Sequence, residues 1–116
     1  MDNCNYGPPL DLVFHALADP TRRAVLRRLG GGPATVSELA GPFDMALSSF
    51  MKHIRVLEVS GLIGSSKTGR VRTCQVKPDR LQAAEAWINE QRTLWEQRAD
   101  RFVDYVETLA SDEKAK

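Results

Sequence analysis

From Val36 to Val76 the chain reads VSELAGPFDMALSSFMKHIRVLEVSGLIGSSKTGRVRTCQV, and this stretch constrains the fold more than any other. Ser37 and Glu38 open a short helix that runs to about Gly41 with Leu39 buried, and Pro42 to Met45 make a turn. A longer helix follows from about Leu47 to Ser60. Its apolar residues Phe50, Ile54 and Leu57 recur at spacings of four and three, which places them on one face. Gly61 stops it. Leu62–Ser66 and Val71–Val76 then read as two strands joined through Lys67, Thr68, Gly69 and Arg70, with Thr68 and Gly69 as a two-residue turn. The predicted class is mainly α (α+β): a winged helix-turn-helix with a two-stranded β-wing. Few other small domains set a helix sized for the DNA major groove directly before a cationic hairpin.

The flanks supply more helix. Leu10 to Ala18 carries Leu10, Val13, Phe14 and Leu17 on one stripe. Asp19 is placed to cap a second helix, and Pro20 suits its first position, where a missing N–H costs nothing. That helix runs to about Leu29, burying Ala24, Val25 and Leu29 and exposing Arg22, Arg23, Arg27 and Arg28, before the glycines at 30–32 and Pro33 end it. Asp79 to about Leu109 forms a long terminal helix. Leu81, Ala84, Ile88, Trp95, Phe102, Tyr105 and Leu109 follow a seven-residue rhythm that Gln91 and Arg98 interrupt. Some thirty helical residues span about 45 Å, more than a body of this size can cover. The surplus apolar stripe, with that of the first helix, implies a second copy of the chain. Residues 1–9 and 110–116 are expected as flexible and disordered tails around one domain at 10–109.

A formal net charge of +1 over 116 residues hides a strong asymmetry. Residues 45 to 77 hold Lys52, Arg55, Lys67, Arg70, Arg72 and Lys77 against the single acid Glu58, a local balance of +5, whereas residues 79 to 116 carry nine acids and six bases. A polyanion responds to the local potential, so the hairpin and its helix are the basic face. No apolar run approaches a membrane span of about 18 residues, and MDNCNYGPPL lacks a secretory pattern, so a cytoplasmic location is expected. Cys4 and Cys74 are too far apart in sequence to read as a close metal or redox pair.

Two strings carry a resemblance to a known family: ALADPTRRAVLRRL at the second helix and SELAGPFDMALSSFMKHIRVLEVSGLI across the helix-turn-helix. From Leu10 to Leu109 the chain resembles the ArsR/SmtB winged-helix repressors, including members whose last helix has a pattern like AWINEQRTLWEQRADRF. The resemblance implies a homodimer joined through first and last helices, with the fourth helix in the major groove and the wing at the flanking minor groove or backbone. The chain departs from the family's metal sensors: Val36 to Ala40 offers no Cys pair and Asp79 to Leu109 no His. With only His15 and His53 in the chain, no metal site of familiar type and no cofactor is expected.

The site residues follow. Ser48 and Ser49 open the recognition helix, where short hydroxyls reach bases or phosphates. Met51 faces a thymine methyl or fills a surface gap, and Lys52 and Arg55 face guanine or phosphate. Lys67, Arg70 and Arg72 address the backbone or a narrow minor groove, the two arginines on one strand face. Leu10, Phe14, Ile88, Trp95, Phe102 and Tyr105 are the expected dimer interface. Double-stranded operator DNA is the expected partner. A winged helix serving only in protein association is the competing reading, and an enzyme is disfavoured because no nucleophile elbow, phosphate loop or paired carboxylates are present. The releasing signal stays open between a small molecule, a redox event at Cys74, another protein and none.

Overall fold

A computed structural model of the protein describes residues 9–115; side chains are described to residue 112. The expectations for Cys4 and residues 1–8 lie outside that range. The elements run α1 (Leu10–Leu17), α2 (Pro20–Leu29), β1 (Ala34–Thr35), α3 (Val36–Ala40), α4 (Leu47–Val59), β2 (Ile63–Thr68), β3 (Val71–Val76) and α5 (Pro78–Ala115). Contacts divide the chain into one unit ending at Ala84 and another beginning at Glu85. No helix among the described residues is long and apolar enough to cross a membrane.

The first unit is built on one core. Val13 and Ala16 of α1, Val25 and Leu29 of α2, Leu39 of α3, Phe50, Ile54 and Leu57 of α4, Ile63 of β2 and Cys74 of β3 are all buried together. Each large side chain buried in this way contributes about 1.5–3 kcal/mol as an upper estimate. The rings of Phe43 and Phe50 lie 5.5 Å apart, which packs the turn before α4 onto its buried face.

Caps explain where the helices begin and end. Asp19 accepts from the Arg22 backbone N–H at 3.1 Å, and Pro20 occupies the first position of α2. Thr35 and Glu38 form a reciprocal capping box at α3, and the Thr35 backbone N–H first, then the Thr35 side chain, hold the Glu38 carboxyl below its ordinary value. Ala46 gives α4 no side-chain cap, in keeping with the sequence. At the other end of α4 the Leu62 N–H reaches the Leu57 carbonyl and the Gly61 N–H reaches that of Glu58. Gly61 there has φ 83°, a left-handed residue closing a Schellman motif.

Four sequence expectations need correction. Arg22 is not exposed: only 8% of its surface is accessible. Its Nε donates to the Ala16 carbonyl at 2.8 Å and its Nη2 to that of His15 at 2.9 Å, so it serves the orphan carbonyls at the end of α1. The sheet has three strands in the order β1-β3-β2, because Ala34 and Thr35 pair antiparallel with Cys74 and Thr73. The hairpin turn is shifted by one residue. Thr68 pairs with Val71, which leaves Gly69, at φ 62°, and Arg70 as the two loop residues. Finally, α5 continues past Leu109 to Ala115 where a disordered tail was expected, since no glycine or proline interrupts the segment.

The second unit is the part of α5 from Glu85 onward. Trp95, Phe102 and Tyr105 are each more than 60% exposed there, and Ile88, Val103, Val106 and Leu109 about half exposed. An Arg92–Glu96 pair one turn apart, with Nε to Oε1 at 3.5 Å, and a bond from Arg92 Nη2 to Asn89 Oδ1 decorate the helix. Such exposed pairs add little stability.

Candidate nucleic-acid interface

The buried stripe of α4 fixes what its other face presents. With Phe50, Ile54 and Leu57 turned inward, Ser48, Ser49, Lys52 and Arg55 are exposed. Met51 is half-buried and packs against the core, so its thioether belongs partly to the fold and not wholly to the surface. Ala46 supplies no side-chain cap to the first N–H groups of α4, of which that of Ser49 bonds the Ala46 carbonyl at 3.1 Å.

One acid adds a polar tie between the wing and α4 to their shared core. Glu58, half-buried on the last turn of α4, accepts a short hydrogen bond from the Ser65 hydroxyl of β2 and lies 3.6 Å from Arg72 Nη1 of β3. In the sequence Glu58 is merely the lone acid in a basic stretch, and its strand partners are only reached by folding. At this exposure the ion pair stabilises by about 1 kcal/mol or less. Its consequence is positional: Arg72 is aimed by a carboxylate while Lys67 and Arg70 stand exposed.

Two adjoining hollows collect the basic residues. One of about 540 Å³ is lined by Leu47 and Met51 of α4, Lys67 and Arg72 of the strands, and Arg70 of the turn. The other, about 250 Å³, is lined by Ser48, Met51, Lys52, Arg55, Glu58 and Arg72. The structure therefore brings together every predicted α4 and wing residue except Ser49, which lines neither hollow. Arg70 sits in the turn and not on β3, so the shared-face argument for Arg70 and Arg72 fails even though both line the larger hollow.

Behind this surface, α4 is pinned to α1 and α2. Arg22 Nη1 lies 3.0 Å from His53 Nδ1, and Asp19 Oδ2 lies 3.8 Å from the same nitrogen. Burial pushes the Asp19 carboxyl up, but the Arg22 backbone N–H and the neighbouring His53 and Arg22 outweigh it and hold the group below its ordinary value. The basic strip is thus mounted on a helix fixed by polar as well as apolar contacts. His53 of α4 is this link.

Cys74 is buried on β3, and burial first, then the Glu58 charge, pushes its thiol above the ordinary value. Both effects disfavour the thiolate and so argue against a reactive cysteine. Among the described residues no three of His, Cys, Asp and Glu are grouped to hold a metal ion.

Known proteins resemble this chain in sequence and fold. A family model described as a helix-turn-helix domain matches residues 17–64. A crystal structure described as that of an ArsR family transcriptional regulator is 66% identical, covers 75% of this chain and 90% of its own, and has a TM-score of 0.73. The transcriptional repressor SdpR of Bacillus subtilis is 30% identical over 76 residues, which is 66% of this chain and 84% of the relative. The HTH-type transcriptional regulator Rv2034 of Mycobacterium tuberculosis is 28% identical over 102 residues, or 88% of this chain and 92% of the relative.

Proposed function

Because this chain belongs to the ArsR family of winged helix-turn-helix transcriptional regulators, DNA-binding proteins and not enzymes, we propose that it is a cytoplasmic repressor that binds a pseudo-palindromic operator as a homodimer. The observation that carries the reading is the convergence of α4 and wing cations on adjoining hollows, with Lys67, Arg70 and Arg72 around one and Lys52, Arg55 and Arg72 around the other. A row of cations beside a protruding helix matches a phosphate ribbon beside a groove. Ser48, Ser49 and Lys52 read base edges in the major groove. Met51 offers its half-buried thioether to a thymine methyl. Arg55 and the wing set the register against phosphates.

The dimer forms through Leu10 and Phe14 of α1 with Ile88, Trp95, Phe102 and Tyr105 of α5. The exposure of the four α5 side chains supports this, since so much contiguous apolar surface is seldom left in water. Two recognition helices related by a two-fold axis read two half-sites about 34–36 Å apart. Repression follows from occupying DNA that the transcription machinery needs, by analogy with the transcriptional repressor SdpR.

Footprinting on the DNA upstream of the coding sequence tests the reading. Protection of an inverted repeat with half-sites about one helical turn apart is the expected result. Uniform, sequence-blind protection, or none, would reject it; retained protein association without DNA binding would make the domain an interaction module.

A further inference from the structure

A third hollow, of about 360 Å³, lies between α1 and α4. That volume falls within the range of small-molecule pockets, roughly 300–1,000 Å³. Its apolar lining is aliphatic: Leu12 of α1 with Val56 and Val59 of α4. Val59 is 54% exposed, a large apolar side chain left open at the edge of the hollow. The buried Ser60 hydroxyl beside it already donates to the Leu57 carbonyl at 2.9 Å and asks for no partner. The polar remainder of the lining is basic or titratable, namely Lys52, Arg55 and His15, with no carboxylate among the lining residues.

The charges at this rim differ from that on the wing. Arg72 has Glu58 at 3.6 Å, whereas among the described residues neither Lys52 nor Arg55 is ion-paired. Two uncompensated cations over an aliphatic floor call for an anionic head on an aliphatic body. A neutral occupant would leave the two cations unmatched, and a small anion without an apolar body would leave the aliphatic floor uncovered.

We propose that this hollow binds a medium-chain aliphatic carboxylate, its chain against Leu12, Val56 and Val59 and its head between Lys52 and Arg55, and that binding releases DNA. The release rests on the function proposed above, in which Lys52 and Arg55 face the nucleic acid. A carboxylate held by both side chains withdraws two cations per protomer from phosphates and bases, and DNA reciprocally expels the carboxylate. Occupancy therefore has differential affinity for the free and DNA-bound states, which a releasing ligand must have.

Sodium octanoate is the probe, with sodium acetate and octan-1-ol as controls for the anion and the chain alone. In amide-resolved NMR of the full chain without DNA, octanoate should shift Leu12, His15, Val56 and Val59 saturably, while the controls should not. In fluorescence anisotropy at matched ionic strength, octanoate should weaken binding of a labelled operator duplex by about tenfold, within the usual range of allosteric coupling. Val59→Glu places a carboxylate at an already exposed position and should remove both responses. Its folding is checked by circular dichroism, and Val59→Gln serves the same purpose without the charge. Equal effects of acetate would mean simple ion competition and would overturn the proposal, as would an absence of saturable shifts, or saturable binding that leaves DNA affinity unchanged. A chain that binds the duplex and ignores octanoate overturns this inference alone. One that takes octanoate and binds no DNA overturns the repressor reading with it.

Discussion

The unit ending at Ala84 and the part of α5 beginning at Glu85 obey opposite rules. In the first, large apolar residues such as Phe50, Ile54 and Leu57 are fully buried, and the one buried arginine, Arg22, has partners for Nε, Nη1 and Nη2. In the second, Trp95, Phe102 and Tyr105 are among the most exposed large side chains of the protein. A chain whose first unit satisfies its own core and polar groups carries its exposed aromatics for something outside itself. The contrast teaches that substitutions of similar size should separate by consequence, those at the fully buried core positions before Ala84 acting on folding and those at the exposed aromatics after it on assembly.

The largest effect on assembly should come from Trp95→Glu. In a symmetric dimer it sets two charges against apolar surface, and the dissociation constant should rise by about a hundredfold or more. Sedimentation velocity should show monomer, with the thermal transition of the remaining fold retained. A variant that stays dimeric would break the comparison. Phe50→Ala should instead lower folding stability by about 3–5 kcal/mol in urea titrations, through lost burial and a cavity. If it altered association and left stability intact, the division of labour would be wrong.

A smaller effect sharpens the account of how α4 is mounted. Asp19→Ala should cost about 1 kcal/mol near neutral pH by removing the cap of α2. The folded-state pKa of Asp19 lies below its ordinary value of 3.8. Its contribution is therefore fully present above that value and lost as the pH falls through the lower folded one. Wild type and variant should differ in urea midpoint at pH 7 and converge in acid. A gap that persists once the folded-state carboxyl is protonated would assign the loss to something other than the carboxylate.

The order of elements and the buried face of α4 were legible in the sequence, because both depend on spacing within a segment. Asp19 followed by Pro20 likewise marked the start of α2 by local chemistry. What depends on a distant neighbour was not. Arg22 reads as one of four surface arginines until the ends of α1 and α2 meet, although its spacing of three to Val25 and seven to Leu29 already set it on the buried stripe. Strand β1 is two residues long, too short for any periodicity to appear, and exists only through its pairing with β3. The hairpin frame slipped because Thr68-Gly69 and Gly69-Arg70 both offer a glycine, and strand register decides between them. Residues singled out in the sequence for the basic surface line two adjoining hollows, but spacing did not show the Glu58 carboxylate that divides them into a paired Arg72 and unpaired Lys52 and Arg55.

The central claim is that α4 reads sequence while the wing neutralises phosphate. It is tested most directly by titrating salt against the affinity of Lys52→Ala and Arg70→Ala for operator and scrambled duplexes. Lys52→Ala should lose about 1–3 kcal/mol on the operator and much less on the scrambled duplex. Arg70→Ala should weaken both alike and lower the salt slope by about one unit per lost phosphate contact in each protomer. Equal, sequence-blind losses from both substitutions, or no loss from either, would contradict the account.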